Sequence, residues 1–417
     1  MIDDRKFVQF GAGNIGRSFL GQLFSRAGFE VVFIDVDDVL VEALNKRRAY
    51  TIEIRDESPA ILHIENVRAL HGRDVEACAR ELLDCRLAGT AVGANAVPHI
   101  LPTIARGLQL RWDQGNGPLD IIIAENIHNA AAMFAEGLKA LLPAGFPLHE
   151  AVGLVETSIG KMVPIMPEEI RRRDPLLVYA EAFNTLICDA RGFRNPIPEV
   201  PGLEPKANMR AYVDRKLFVH NLGHACCAYY AFVEKPTLVY VWEAISDPLV
   251  GEGTRRAMWE SGRALIAAYP EEFDEANIGE HIEDLLRRFA NRALGDTIYR
   301  VGRDLPRKLS RDDRLVGALL FDLHHGVPEP MFTAHGIAAG FLFRARDDAG
   351  RLFDADERFV REDFPLGIEH LLSKVCGLEG TTPEELRGRE LVRQAWDHIR
   401  AAMEAGRSFL TDLLGSG

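Results

Sequence analysis

Two sets of residues in this sequence could do chemistry, and they stand in different halves of the chain. The first is the run Phe10-Gly11-Ala12-Gly13-Asn14-Ile15-Gly16-Arg17. A G-x-G-x-x-G turn between a strand and a helix can hold a pyrophosphate. Gly11 permits the tight turn, Gly13 lets backbone approach the phosphates, and Gly16 lets the helix pack closely on the strand. Asn14 and Ile15 open that helix, whose free N–H groups and dipole favour an anion. The turn alone is a weak signal, because glycine-rich turns are common. Its context gives it weight: Lys6 to Phe10 is short, apolar and β-prone, and the next strand, Glu30 to Asp35, ends on a carboxylate. That carboxylate falls about 20 residues beyond the turn, where it would accept hydrogen bonds from an adenosine ribose. It also repels a 2′-phosphate, and Val36 and Asp37 supply no arginine to offset it, so NAD is expected rather than NADP.

The second set is the string Arg215-Lys216-Leu217-Phe218-Val219-His220-Asn221-Leu222-Gly223-His224. At about 100° per residue, Lys216, His220, Asn221 and His224 share an arc of roughly 140° on one helix. A lone lysine or histidine usually belongs to a solvated face. Here Leu217, Phe218, Leu222, Ala225, Cys226 and Cys227 make the rest of the helix apolar, so the polar arc sits in an element that should be buried. Burial disfavours the charged form of a lysine and lowers its pKa, which suits it to act as a general base. An asparagine can hold a developing alkoxide without titrating, and a histidine can orient a hydroxyl. A third feature is basic: Arg300, Arg303, Arg307, Lys308, Arg311 and Arg314 crowd one short segment around Pro306. A charge run is usually a solvated face. Paired guanidinium N–H groups are also the means of holding a phosphate or carboxylate.

The elements that must position these groups can be read from periodicity. After the strand Lys6 to Phe10 and the turn, Arg17 to Ala27 carries Phe19, Leu20, Leu23 and Phe24 at helical spacing before Gly28. Asp38 to Lys46 is the next helix, and Ile52 to Ile54 and Ile61 to Val67 are further short strands. Leu87 to Val92, Leu119 to Ala124 and Ala151 to Glu156 read as buried strands, separated by helical segments such as Pro98 to Gly107 and Asn129 to Leu142. Strands alternating with helices predict an α/β fold, a Rossmann-type doubly wound parallel sheet with its ligand crevice at the carboxyl ends of the strands. Asn195 to Pro205 is rich in proline and glycine and reads as a linker. A mainly α-helical C-terminal domain follows: Asn208 to Tyr230, Pro248 to Tyr269, Ile278 to Ala293, Leu315 to His324, Pro365 to Lys374 and Thr382 to Ala405. Val392, Trp396, Ile399 and Met403 form a core-facing stripe on the last of these. The expected division is 1–200 for cofactor binding and 201–417 for substrate and catalysis, with the reacting part of the substrate in the cleft between them.

Composition sets outer bounds. At 417 residues the chain is too long for one ordinary core. A hydrophobic fraction of 47% and a charged fraction of 27%, with no apolar run long enough to span a bilayer, suit a globular protein away from the membrane. Nothing at the N-terminus reads as a signal or transit peptide, so a cytoplasmic location is expected. The net charge of -13 argues against a nucleic-acid partner but not against a small anionic substrate. Six cysteines without a C-x-x-C pair fit reduced packing residues better than disulfides, and no compact spacing of cysteine and histidine suggests a metal.

Together, Lys216, Asn221 and His224 at this spacing, with the N-terminal glycine turn, resemble the signature of the polyol-specific long-chain dehydrogenases, and most of all their mannitol-1-phosphate 5-dehydrogenase branch. The similarity takes in Thr90 to Val97, Ala124 to Ala130, Arg300 to Leu315 and His335 to Arg344. It implies that Lys216 is the general base, that Asn221, His224 and Asn126 bind the reacting oxygen and neighbouring hydroxyls, and that no metal takes part. Val92 and Gly93 would join Gly11, Gly13, Asn14, Ile15, Gly16 and Asp35 in holding NAD. Arg300 and Lys308, with His220, would contact the polyol, and Arg303 or Arg307 would hold a phosphate. The implied reaction is D-mannitol 1-phosphate + NAD+ to D-fructose 6-phosphate + NADH, by a monomer or homodimer. A free polyol 2-dehydrogenase or a fructuronate or tagaturonate reductase would use the same lysine helix. A non-catalytic NAD-binding sensor would not need Lys216, Asn221 and Asn126 together. One departure stands out: relatives commonly carry an acidic residue where this chain has Gly160. Either Glu156 takes its place or the substrate differs.

Overall fold

The computed structural model describes residues 3–127 and 129–415. The chain forms two compact units, Met1–Met209 and Arg210–Gly417. The first is an eight-stranded sheet with a smaller three-stranded one. Its strands are β1 (Asp3–Phe10), β2 (Glu30–Asp35), β3 (Ala49–Ile54), β4 (Ala60–Glu65), β5 (Val67–His71), β6 (Cys85–Thr90), β7 (Leu119–Ile123), β8 (Val152–Ser158), β9 (Val178–Ala180), β10 (Leu186–Asp189) and β11 (Leu203–Lys206). The large sheet runs β11-β10-β8-β7-β6-β1-β2-β5. All pairings are parallel except β8 with β10. The order of strands reverses at β1, between β2 and β6, so a crevice opens there at the carboxyl ends. Alternation explains why these segments are apolar almost throughout: Phe7, Val31 and Phe33 pack on one face of the sheet, and Val8, Val32 and Ile34 on the other.

The expected elements of this unit are present, with shifted ends. The segment expected as one strand, Ile61 to Val67, is two, β4 and β5, because Asn66 turns left-handed (φ 57°) between them. The stretch expected as a linker contributes the edge strand β11, paired in parallel with β10 through Leu186–Leu203 and Asp189–Lys206.

The second unit is helical. Residues 209–234 form one continuous helix: an α segment Met209–Arg215, a π turn Lys216–Asn221, and an α segment Leu222–Glu234. Its buried residues, including Ala225, Cys226, Cys227, Tyr229 and Tyr230, pack against helices Pro248–Ala268 and Met331–Leu342. Close approach is secured by Gly223 against Met258 and by Gly340 against Tyr229, where a Cβ would lie 2.6 and 3.2 Å from the neighbour. Asp247 and Thr382 cap helices Pro248–Ala268 and Pro383–Glu404 ahead of an N1 proline. Helix Pro383–Glu404 lays Leu391, Val392, Trp396 and Ile399 on Met331–Leu342. The expected stripe is one residue shorter, because Met403 is 52% exposed. Helix Met331–Leu342 escaped the periodicity reading because it is apolar on every side and so shows no amphipathic pattern. Among the described residues all six cysteines are buried and free, and no helix is long and apolar enough to cross a membrane.

Candidate active site

The glycine turn follows β1 into the crevice. Gly11 adopts φ +92°, and its N–H donates to Ile34 O at 2.8 Å, tying the turn to β2. A Cβ on Gly11 would strike the carbonyl of Ala91, and one on Gly16 would strike the carbonyl of Gly11. Gly13, by contrast, has nothing within 4 Å of where its Cβ would be, so its open side is available to a ligand. Asn14 is exposed and Ile15 half-buried at the head of the following helix, whose first segment, Gly16–Gly21, is itself a π turn. Asp35 braces the turn: Oδ2 accepts from Ala12 N at 2.6 Å, and Oδ1 from Val36 N at 2.7 Å and Asp37 N at 3.0 Å. A cradle that excludes side chains at Gly11 and Gly16, is open at Gly13 and ends on a fixed carboxylate fits a dinucleotide.

Val92 and Gly93 are held by a residue that the sequence reading passed over. The buried Glu125 accepts from Val92 N at 2.9 Å and Gly93 N at 2.8 Å. It thereby ties the loop after β6 to the end of β7, where Asn126 is exposed. His128 of the same segment lies outside the described residues. Glu156 accepts from Ala131 N at 3.0 Å, at the head of helix Ala130–Leu141, through one of its two carboxylate oxygens. At Gly160 a Cβ would meet only Phe183, at 3.6 Å, so the site has room for a side chain it does not carry. The neighbouring Lys161 is buried, donates to Asn184 Oδ1 at 2.9 Å and lies over the ring of Phe19.

In the second unit the π turn refines the lysine helix. Its i→i+5 bonding widens the turn and swings Asn221 toward the direction of Lys216, which regular α geometry would not do. Desolvation, reinforced by Arg314, lowers the Lys216 pKa to about 8. The ring of His224 stacks on Phe289 at 4.5 Å and 8°, with Nε2 3.9 Å from Asp296 Oδ2. Burial and the surrounding cations Lys308, Arg314, Arg300 and Arg288 lower its pKa to about 3, so it is neutral at ordinary pH. His220 is buried, 6.2 Å from His224 between ring centroids, and burial holds it neutral too. Among these groups Lys216 alone changes charge near neutral pH.

The basic segment is tightly fixed. Thr297 caps helix Ile298–Gly302, Tyr229 donates to Gly302 O at 2.9 Å, and Asp356 accepts from Asp304 N and Leu305 N. Arg300 pairs with the buried Asp296 one turn away. Lys308 is also depressed, to about 7, by burial and then Arg314. Its Nζ, however, donates to the carbonyls of Val301 and Arg303, which marks it as a clamp on its own loop rather than a free base. Arg307 lies between Asp304 and Asp313, and Arg303 lies over the rings of Tyr299 and Phe353. Of the two arginines expected to hold a phosphate, Arg307 is paired with two carboxylates, and Arg303 meets its two rings through the face of its guanidinium. Among the described residues no group of three or more histidine, cysteine or acidic side chains could hold a metal.

Residues 5–202 match the mannitol dehydrogenase Rossmann domain, and residues 208–366 match the mannitol dehydrogenase C-terminal domain. The chain belongs to the mannitol dehydrogenase family. It is an NAD-dependent polyol dehydrogenase of that family, acting on CH–OH groups. Its fold is similar to that of Pseudomonas fluorescens mannitol 2-dehydrogenase, solved with NAD and D-mannitol, at 17% identity and a TM-score of 0.74 over 99% of this chain and 95% of that one. It is also similar to a D-sorbitol dehydrogenase solved in substrate-free form, at 17% identity and a TM-score of 0.77 over 98% of this chain and 95% of that one. The family's C-terminal domain ends at Leu366 here, so helix Pro383–Glu404, which covers Met331–Leu342, lies beyond the matched region.

Proposed function

We propose that this member of the family interconverts D-mannitol 1-phosphate and D-fructose 6-phosphate with NAD, using Lys216 as general base and no metal. The observation that carries the reading is the Lys216 amine, depressed to about 8 on a π turn that also carries His220 and Asn221. In oxidation the C–H bond of the carbinol breaks as hydride and its O–H breaks as a proton; the bound nicotinamide supplies the hydride acceptor. Lys216 takes the proton. The amides of Asn221 and Asn126 hold the oxygen as its charge grows, and neutral His224 donates to or accepts from a neighbouring hydroxyl. In reduction the protonated lysine returns the proton to the alkoxide. Arg300 and Lys308 border the polyol chain.

A second reading, a free polyol as substrate, is favoured by one observation: Arg307 is already neutralised by Asp304 and Asp313. The test is NADH oxidation followed in parallel with fructose 6-phosphate, fructose and the hexuronates. The reading expects the phosphorylated ketose to give the highest kcat/KM. A preference for fructose would move the assignment to a free polyol, and a preference for a hexuronate would move it to a sugar-acid reductase.

A further inference from the structure

We propose that Arg314 is the residue that recognises an anionic group on the substrate, a phosphate monoester or a carboxylate. The inference rests on the reading of Lys216 and its helix as the reacting site, and it moves the anion away from Arg303 and Arg307.

Arg314 stands in the turn that leads into helix Val316–His324. Its Nε and its backbone N–H both donate to Asp313 Oδ1, at 2.8 and 2.7 Å. Among the described residues its Nη1 and Nη2 have no hydrogen-bond partner, although the side chain is only 15% exposed. One edge of the guanidinium is therefore anchored, and the other, with its paired N–H groups, is open. That open edge is the one that matches two oxygens of a phosphate or carboxylate. The turn is packed on the catalytic helix. Three residues beyond Arg314, Gly317 leaves so little space that a Cβ there would lie 3.1 Å from Phe218, and Phe218 and Phe321 have ring centroids 5.0 Å apart. Phe218 lies within the π turn that bears Lys216.

Arg314 also acts on the reacting groups, depressing Lys216, Lys308 and His224 alike. Asp296 is taken by Arg300, and Asp313 is divided between Arg314 and Arg307, whose Nη1 lies 3.1 Å from Oδ2. Among the other basic groups Lys308 is bound to two carbonyls and Arg307 to two carboxylates, while Arg303 lies with its face over two rings.

The test compares the whole enzyme with Arg314→Gln and Arg314→Lys on fructose 6-phosphate, a hexuronate and fructose, with NADH binding titrated as a check on folding. We expect Arg314→Gln to lose kcat/KM on the preferred anionic ketose about tenfold or more beyond its loss on fructose, mainly through KM, since a hydrogen bond to a charged group is at stake. Arg314→Lys should recover part of the difference. Inorganic phosphate should inhibit the unaltered enzyme competitively with the ketose, and Arg314→Gln more weakly. Whichever anionic ketose is preferred tells phosphate from carboxylate. If the variants lose activity equally on anionic and neutral ketoses, Arg314 only tunes Lys216, and the inference fails while the lysine reading stands. If Arg314→Gln does not fold, the Arg314→Lys and phosphate-inhibition arms decide; wild-type kcat/KM ratios in the former, with no inhibition in the latter, overturn it. A wild-type enzyme indifferent to any anionic group overturns this inference and the phosphorylated substrate together.

Discussion

The glycine turn of the first unit and the lysine helix of the second fix reactive geometry by different means. At the turn the backbone does the positioning. Gly11 and Gly16 make room for each other, Gly13 is open, and Asp35 and Glu125 hold the flanking loops through backbone N–H groups. In the proposed mechanism the helix's side chains carry the chemistry, and burial tunes them. Lys216 is depressed and His224 is kept neutral by desolvation among other cations. On the helix, burial brings Lys216 toward neutral pH while His220 and His224 are held neutral. Damage should follow the same division: changes at the turn should appear in cofactor affinity, and changes at the helix in turnover and its pH dependence.

The largest expected effect at the turn is from Gly16→Ala, whose methyl must displace the Gly11 carbonyl. Overpacking of this kind costs about 1–3 kcal/mol, so NADH affinity should fall roughly 10- to 100-fold in a fluorescence titration. An unchanged affinity would separate the turn from the cofactor. The pH profile is the matching probe of the helix. With Lys216 near 8, polyol oxidation should rise about tenfold per unit below that pH and level off above it, as the neutral amine becomes available. Ketose reduction needs the protonated lysine and should fall as pH rises through the same value. A break near 10, the ordinary lysine range, would show that burial does not set the base. The smallest effect is expected from Glu125→Gln, which weakens two charge-assisted bonds to Val92 and Gly93. KM for NADH should rise about tenfold, for roughly 1.5 kcal/mol, with kcat little changed. A loss confined to kcat would place Glu125 with the helix instead.

The two regions also differed in how far the sequence disclosed them. The turn and its sheet obey local grammar: a strand, glycines at fixed offsets, a helix and an acidic strand end are all visible within Lys6 to Asp35. The lysine helix was visible as a polar arc, but its π turn was not, because the phase shift it introduces is lost in a helix buried on most sides. Strands β9, β10 and β11 are short and pair with segments elsewhere in the chain, so their partners, not their own residues, decide them. The basic cluster was legible as a cluster only. Which guanidinium is free depends on where Asp304, Asp313 and the rings of Tyr299 and Phe353 fall, and that is tertiary information. Glu125 was hidden for the same reason: it sits beside Asn126 in sequence but acts on the loop after β6.

Lys216 is proposed to move the proton and not merely to shape the helix. Replacing it with alanine and measuring kcat for ketose reduction beside NADH affinity tests this most directly. Turnover is expected to fall by about 100- to 10,000-fold, the scale of general acid–base catalysis, while NADH affinity stays within about twofold, because the glycine turn proposed to bind it contains none of the helix's groups. A Lys216→Ala enzyme that turns over at close to the wild-type rate would contradict it.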